Sequence, residues 1–128
     1  MQSILIARQK YHGNKASWFS VKPKEYEMLK DMGYHYQIAG QVFFTRKSIE
    51  RVLEKIPLKN KLVVSYEDFC KNTPAYYEKI IKIYSVWGYN LKKKYAGPSC
   101  FKISNRKRIN TSELEKLKTA YKYFQKNQ

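Results

Sequence analysis

Apolar positions recur along most of this chain with the period of a helix. In Ser3–Tyr11, the apolar run Ile4, Leu5 and Ile6 precedes basic Arg8 and Lys10, which predicts a short helix. His12-Gly13-Asn14 ends it, because Gly and Asn tolerate the positive φ of a helix terminus. Trp18–Val21 reads as a short extended piece. Pro23 then opens a second helix with Glu25 and Glu27 in its first turn, and Gly33 closes it. The clearest periodicity follows: Ile38, Val42, Thr45, Ile49, Val52 and Ile56 recur at spacings of four and three. They predict a helix from about Tyr36 to Ile56 with that stripe in the core, Arg46, Lys47, Glu50, Arg51, Glu54 and Lys55 on its other faces, and Pro57 as its stop.

The pattern changes once. Leu62-Val63-Val64-Ser65-Tyr66 is short, β-branched and preceded by the turn residues Lys59-Asn60, which predicts a strand near 62–66. Thr73-Pro74 starts another helix, with Thr as cap and Pro at the first helical position; Tyr77, Ile80, Ile81, Tyr84 and Trp87 form its expected buried face, and Gly88 ends it. Tyr89 to Asn110 reads as a basic loop broken by Gly97-Pro98. Ser112-x-x-Glu115 is a capping box for a last helix with Leu114, Leu117, Tyr121 and Phe124 on one side. The inventory is about five helices and one strand. A lone strand leaves its backbone groups unsatisfied. Either it pairs with something outside this chain, or the helices surround a frayed extended segment.

Composition bounds the function classes. The chain has 128 residues, which is one domain or part of one, and is 43% hydrophobic, enough to build a core. No run approaches the roughly 18 apolar residues of a membrane span. No apolar core with a small-residue cleavage site opens the chain, which argues against a Sec-type signal; an amphipathic transit peptide stays open because the first acidic residue is Glu25. Cys70 and Cys100 form no CxxC pair and have no metal-ligand spacing with His12 or His35. They are expected to be free thiols in a reducing, cytoplasmic setting, without structural zinc.

Charge narrows the partners. Twenty-six basic residues against 10 acidic ones give a net charge of +16, which attracts nucleic acid, acidic membrane surfaces, acidic polysaccharide or phosphorylated nucleotides. From Lys92-Lys93-Lys94 through Lys102 to Arg106-Lys107-Arg108 no acidic residue occurs. Basic residues interleaved with aromatic ones suit single-stranded nucleic acid, and a solvated basic face is the plainer alternative.

One segment is more specific. Leu62-Val63-Val64-Ser65-Tyr66-Glu67-Asp68-Phe69-Cys70-Lys71-Asn72 resembles the strand-then-YED element of sulfotransferases that use 3′-phosphoadenosine 5′-phosphosulfate (PAPS). The likeness continues through Pro74 and Ile80-Ile81-Lys82-Ile83-Tyr84 to Trp87-Gly88. The resemblance implies a P-loop-like α/β fold, of which this chain is a mostly helical, incomplete C-terminal portion spanning 1–128. It also implies that Tyr66 lines the adenine pocket, where a phenol offers a flat face to a purine. Gln2-Ser3-Ile4-Leu5-Ile6-Ala7-Arg8 looks like the end of the family's 3′-phosphate motif. Ser3 would contact the phosphate near a helix N-terminus, and the motif's arginine would fall before Met1. Ser99-Cys100-Phe101-Lys102 resembles the family's Thr-Ser-Phe segment, which implies that Phe101 stacks on the base opposite Tyr66 and that Ser99 bonds its edge. Arg106, with Lys107 and Arg108, would help hold the 3′-phosphate. Trp18–Pro23 and the following Ala39-Gly40-Gln41-Val42 look like the acceptor-side insertion of bacterial and Golgi-type members. The resemblance covers about three quarters of the chain.

The family's 5′-phosphosulfate loop has no counterpart here, since no Gly-rich turn follows a strand and no GxxxxGK occurs. The family's catalytic base precedes the 3′-phosphate motif, so neither His12 nor His35 inherits that role, and no catalytic residue is assigned. The expected function is therefore the nucleotide side of a sulfotransferase that transfers a sulfuryl group from PAPS to a hydroxyl or amine acceptor on a sugar, lipid or peptide. The chain is expected to be inactive alone, with adenosine 3′,5′-bisphosphate as its ligand. A small basic nucleic-acid-binding domain and a structural subunit completed by a partner chain are the alternatives.

Overall fold

The computed structural model describes residues 1–91 and 94–127. Among them are six α-helices and one 3₁₀ turn: α1 (Gln2–His12), α2 (Tyr26–Leu29), α3 (Tyr34–Glu54), the turn Leu58–Asn60, α4 (Tyr66–Lys71), α5 (Thr73–Val86) and α6 (Thr111–Asn127). Among the described residues, no helix is long and apolar enough to cross a membrane. The chain divides into two compact units, Met1–Arg51 with Lys107–Gln128, and Val52–Arg106.

The first unit holds the larger core. Leu29, Ala39, Phe44, Ala120 and Phe124 pack together, with Trp18, Met32, Tyr36, Phe43 and Tyr121 around them. Leu5, Ile38 and Leu117 form a second cluster with Ile4, Tyr34 and Ile109. The stripe expected on α6 holds, with Leu117 and Phe124 buried beside Ala120. Its cap differs from the expected box. Asn110 Oδ1 accepts the amide of Glu113 (2.8 Å), so the helix begins one residue before Ser112. Glu115 turns outward to Lys118 (2.8 Å). α1 ends at Gly13 with φ 68°, as its sequence predicts. The helix after Pro23 is a single turn.

The long helix also needs correcting. Its buried residues are Gln37, Ile38, Ala39, Gly40, Gln41 and Phe44, whereas Ile49 and Val52 of the expected stripe are exposed. Core partners reach only its first half, and there two glutamines point inward because backbone carbonyls need donors. Gln41 Nε2 donates to Phe19 O (2.8 Å) and Val21 O (2.7 Å), which ties the Trp18–Val21 segment to α3. Gln37 Nε2 donates to Lys30 O (2.8 Å) and Met32 O (2.9 Å) after α2.

In the second unit, no strand forms among the described residues. Lys61 and Ser65 have extended backbone (ψ 147° and 131°), and Leu62–Val64 between them make no backbone hydrogen bond to any described residue. A strand needs a neighbouring one, and the described residues offer none. Tyr66 instead opens α4, because the Ser65 hydroxyl caps it by accepting Asp68 N (3.3 Å), with Glu67 and Asp68 in the first turn. α5 is capped by Asn72, whose Oδ1 accepts Ala75 N (3.2 Å), and not by Thr73. Thr73 and Tyr76 are its buried residues. Ile80, Tyr84 and Trp87 of the expected buried face are exposed, since the packing of α5 on α4 and on the 3₁₀ turn leaves these side chains partly in water.

Candidate functional site

The segment Tyr95–Ser104 folds back over the start of α4 and α5. Phe101 N donates to Cys70 O (2.7 Å), at the end of α4. Ser104 N donates to the Tyr66 hydroxyl (3.4 Å), and Asn105 Nδ2 to Glu67 Oε1 (3.2 Å). The Phe101 ring stacks on Phe69 with centroids 6.0 Å apart, and Phe69 in turn meets Tyr76 edge-on. A second set of bonds anchors the other end of this strap. Thr73 N donates to Ser99 O (3.2 Å), the Thr73 hydroxyl donates to Pro98 O, and the Tyr95 hydroxyl reaches Thr73 Oγ1 (2.9 Å). Each bond joins residues more than twenty apart in sequence, so the loop expected over 89–110 is held firmly where it crosses α4 and α5.

Tyr66 and Phe101 thus belong to one small module, and both rings are about half exposed. Phe101 rests on Phe69, which leaves its other face open. Ser99 is exposed and its carbonyl, not its hydroxyl, is engaged by the fold; Arg106 is exposed at the end of the same unit. Ser3 belongs to the first unit, exposed in the first turn of α1, where Met1 is the capping residue without a side-chain bond. Lys94 is exposed; Lys92 and Lys93 lie outside the described residues. Cys70 is a buried free thiol and Cys100 an exposed one. Among the described residues, no group of His, Cys, Asp and Glu is arranged to hold a metal.

Two polar clusters in the first unit have no counterpart in the sequence reading. Glu113 on α6 accepts from the Tyr34 hydroxyl (2.9 Å), Lys15 Nζ (3.2 Å) and His35 Nε2 (2.9 Å). Desolvation pushes its pKa up, but the bonds from Tyr34, His35 and Lys15 outweigh it and hold the carboxyl below its usual range. Burial and the bond to Glu113 raise the Tyr34 phenol. An apolar cavity of about 350 Å³ opens beside them between Leu5, Ile6 and Ile109. Because three of Glu113's oxygen sites already have donors, the cluster reads as a tie between α6, α3 and the loop after α1. Its partners lie 78 to 98 residues apart, a separation that no spacing motif encodes.

The second cluster is Arg8. Its side chain is wholly buried, and Nη1 donates to Gln37 Oε1 (2.7 Å) and Lys15 O (3.1 Å), while the guanidinium lies 5.2 Å from the centroid of the Trp18 ring. Burial without a carboxylate lowers its pKa.

Comparison with family models, with curated proteins and with solved structures finds no match to this chain.

Proposed function

We propose that the chain supplies the nucleotide side of a PAPS-dependent sulfotransferase-type domain, and that Tyr66 and Phe101 hold the adenine of the cosubstrate. The observation that carries this reading is the strap: Phe101 N on Cys70 O and Ser104 N on the Tyr66 hydroxyl fasten to one module the two rings named by the resemblance. Each ring keeps an exposed face, as a purine contact requires. The resemblance assigns Arg106 to the 3′-phosphate and Ser99 to the base edge.

Leu62–Val64 is the second support. Its apolar side chains and unbonded backbone fit a strand whose neighbours are supplied from outside this chain, which would give the α/β architecture of the family. With no Gly-rich phosphate loop in its sequence, the chain alone is expected to bind adenosine 3′,5′-bisphosphate weakly and to transfer no sulfuryl group. Calorimetric titration tests this directly. Weak binding that Tyr66→Ala and Phe101→Ala each reduce is the expected result. Absence of heat at millimolar ligand, with the helical content intact, overturns the reading, as does turnover of PAPS with a hydroxyl acceptor for the inactivity.

A further inference from the structure

The aromatic rings at the end of α5 are built as a platform. Tyr84, Trp87 and Tyr89 are 40%, 51% and 62% exposed, and the Tyr84 ring lies 5.7 Å from Trp87 and 6.1 Å from Tyr89, centroid to centroid. Exposure does not make them loose. Gly88 takes φ 82°, its N–H donates to Ser85 O (3.1 Å), and Tyr89 N donates to Tyr84 O (3.0 Å). This is the six-to-one and five-to-two bonding of a Schellman end, in which the residue after the glycine meets the helix residue beneath it. Trp87 Nε1 donates to Asn60 Oδ1 (3.3 Å), which fixes the indole from the side of the 3₁₀ turn. Three large rings therefore stand half in water with their positions set by backbone and edge bonds.

The unit that carries them is basic: Val52–Arg106 holds 11 Lys and Arg against four acidic residues, and Lys79 and Lys82 are exposed on α5 itself. The carbonyls that would give the end of α5 negative character include Tyr84 O and Ser85 O, and both are already bonded. The interplanar angles of 58° and 66° turn the ring faces in different directions. Stacked bases of a duplex cannot use such faces, whereas bases splayed from a single strand can, with the phosphates meeting the lysines.

We propose that Tyr84, Trp87 and Tyr89 form a stacking platform for single-stranded nucleic acid. It shares no residue with the proposed adenine contacts and does not depend on them. A labelled oligothymidylate titrated into the full chain, followed by fluorescence anisotropy, tests it. Binding is expected at low salt and falls steeply as salt rises. Trp87→Ala is expected to weaken it about fivefold or more, the loss of one base–ring contact. Trp87→Phe retains most of the affinity and, with circular dichroism, controls for folding. An abasic strand of equal length binds more weakly, and saturating adenosine 3′,5′-bisphosphate leaves binding in place. The proposal is overturned if no complex forms at low salt, or if abasic and thymidine strands bind alike and Trp87→Ala changes nothing, which is polyanion attraction alone. Equal competition by polyglutamate also overturns it and makes the partner an acidic protein.

Discussion

Arg8 and Gln37 meet inside the first unit at 2.7 Å, a buried guanidinium held by an amide oxygen and not by a carboxylate. Nε and Nη2 of Arg8 are buried without a protein acceptor. Gln37 has the larger structural role, because its amide also serves two carbonyls after α2. The two residues should therefore respond unequally to removal. Gln37→Leu takes one of two acceptors from the buried guanidinium, leaves two carbonyls unserved and should cost about 3 kcal/mol. Arg8→Met removes the charge itself while keeping the volume, and should cost less. Urea unfolding of the two variants checks the order; the reverse order would mean that Arg8 is stabilised by more than Gln37, Lys15 and the Trp18 ring.

Glu113 should set the acid limb of stability in the first unit. Its carboxyl is held below the usual value near 4.5 in the folded chain, so the stability it contributes is fully present above that value. It is lost as pH falls through the lower, folded pKa, because protonation then costs the bonds from Tyr34, His35 and Lys15. Glu113→Gln should lower stability at neutral pH and flatten its fall below pH 4.5. Parallel denaturation of both chains between neutral and acid pH checks this. Equal slopes would remove Glu113 as the titrating group.

Gly40 is expected to be intolerant of a branched side chain. A Cβ there would meet Leu29 Cδ2, and Phe124 Cζ at 3.1 Å, and both neighbours are fully buried. Valine adds two methyl groups at the closest approach of α3, α2 and α6, and overpacking of this kind costs about 1–3 kcal/mol. Gly40→Val should lower the melting temperature measured by circular dichroism. An unchanged melting point would show that Leu29 has room to turn away.

Helices were legible in this sequence where both the stripe and its partner lie within the chain. Leu117 and Phe124 read correctly because α6 packs on residues from α1 to α3. Ile49, Val52, Ile80 and Trp87 have the same periodicity and stay exposed, since a stripe marks a face that needs covering and not the presence of a cover. The extended character of Leu62–Ser65 was legible, but strand formation was not, because pairing is a long-range property. Gln37, Gln41 and Glu113 were missed for a related reason. Polar residues inside a helix read as surface until a distant carbonyl or donor is known. Tyr66 and Phe101 were selected by resemblance, whereas the strap that joins them depends on backbone bonds that no side-chain pattern announces.

Thiol chemistry can measure how firmly that strap is held. Cys100 is exposed and should react with a disulfide reagent at the rate of an open thiol. Cys70 is buried, and its carbonyl accepts Phe101 N, so its thiol should be reached mainly when the strap opens. Thr73 governs that opening from the other end, through its hydroxyl's bonds with Pro98 O and Tyr95. In a Cys100→Ser background, Thr73→Val removes a buried hydroxyl with both its bonds, and leaves Pro98 O held at that point by the Tyr95 hydroxyl (2.6 Å). A loss of about 1–2 kcal/mol should speed Cys70 labelling by roughly 5- to 30-fold. Far-UV circular dichroism distinguishes local opening from loss of the whole unit. If Cys70 already labels as fast as Cys100 in the unaltered chain, the strap is not closed in solution, and Tyr66 and Phe101 have no common frame.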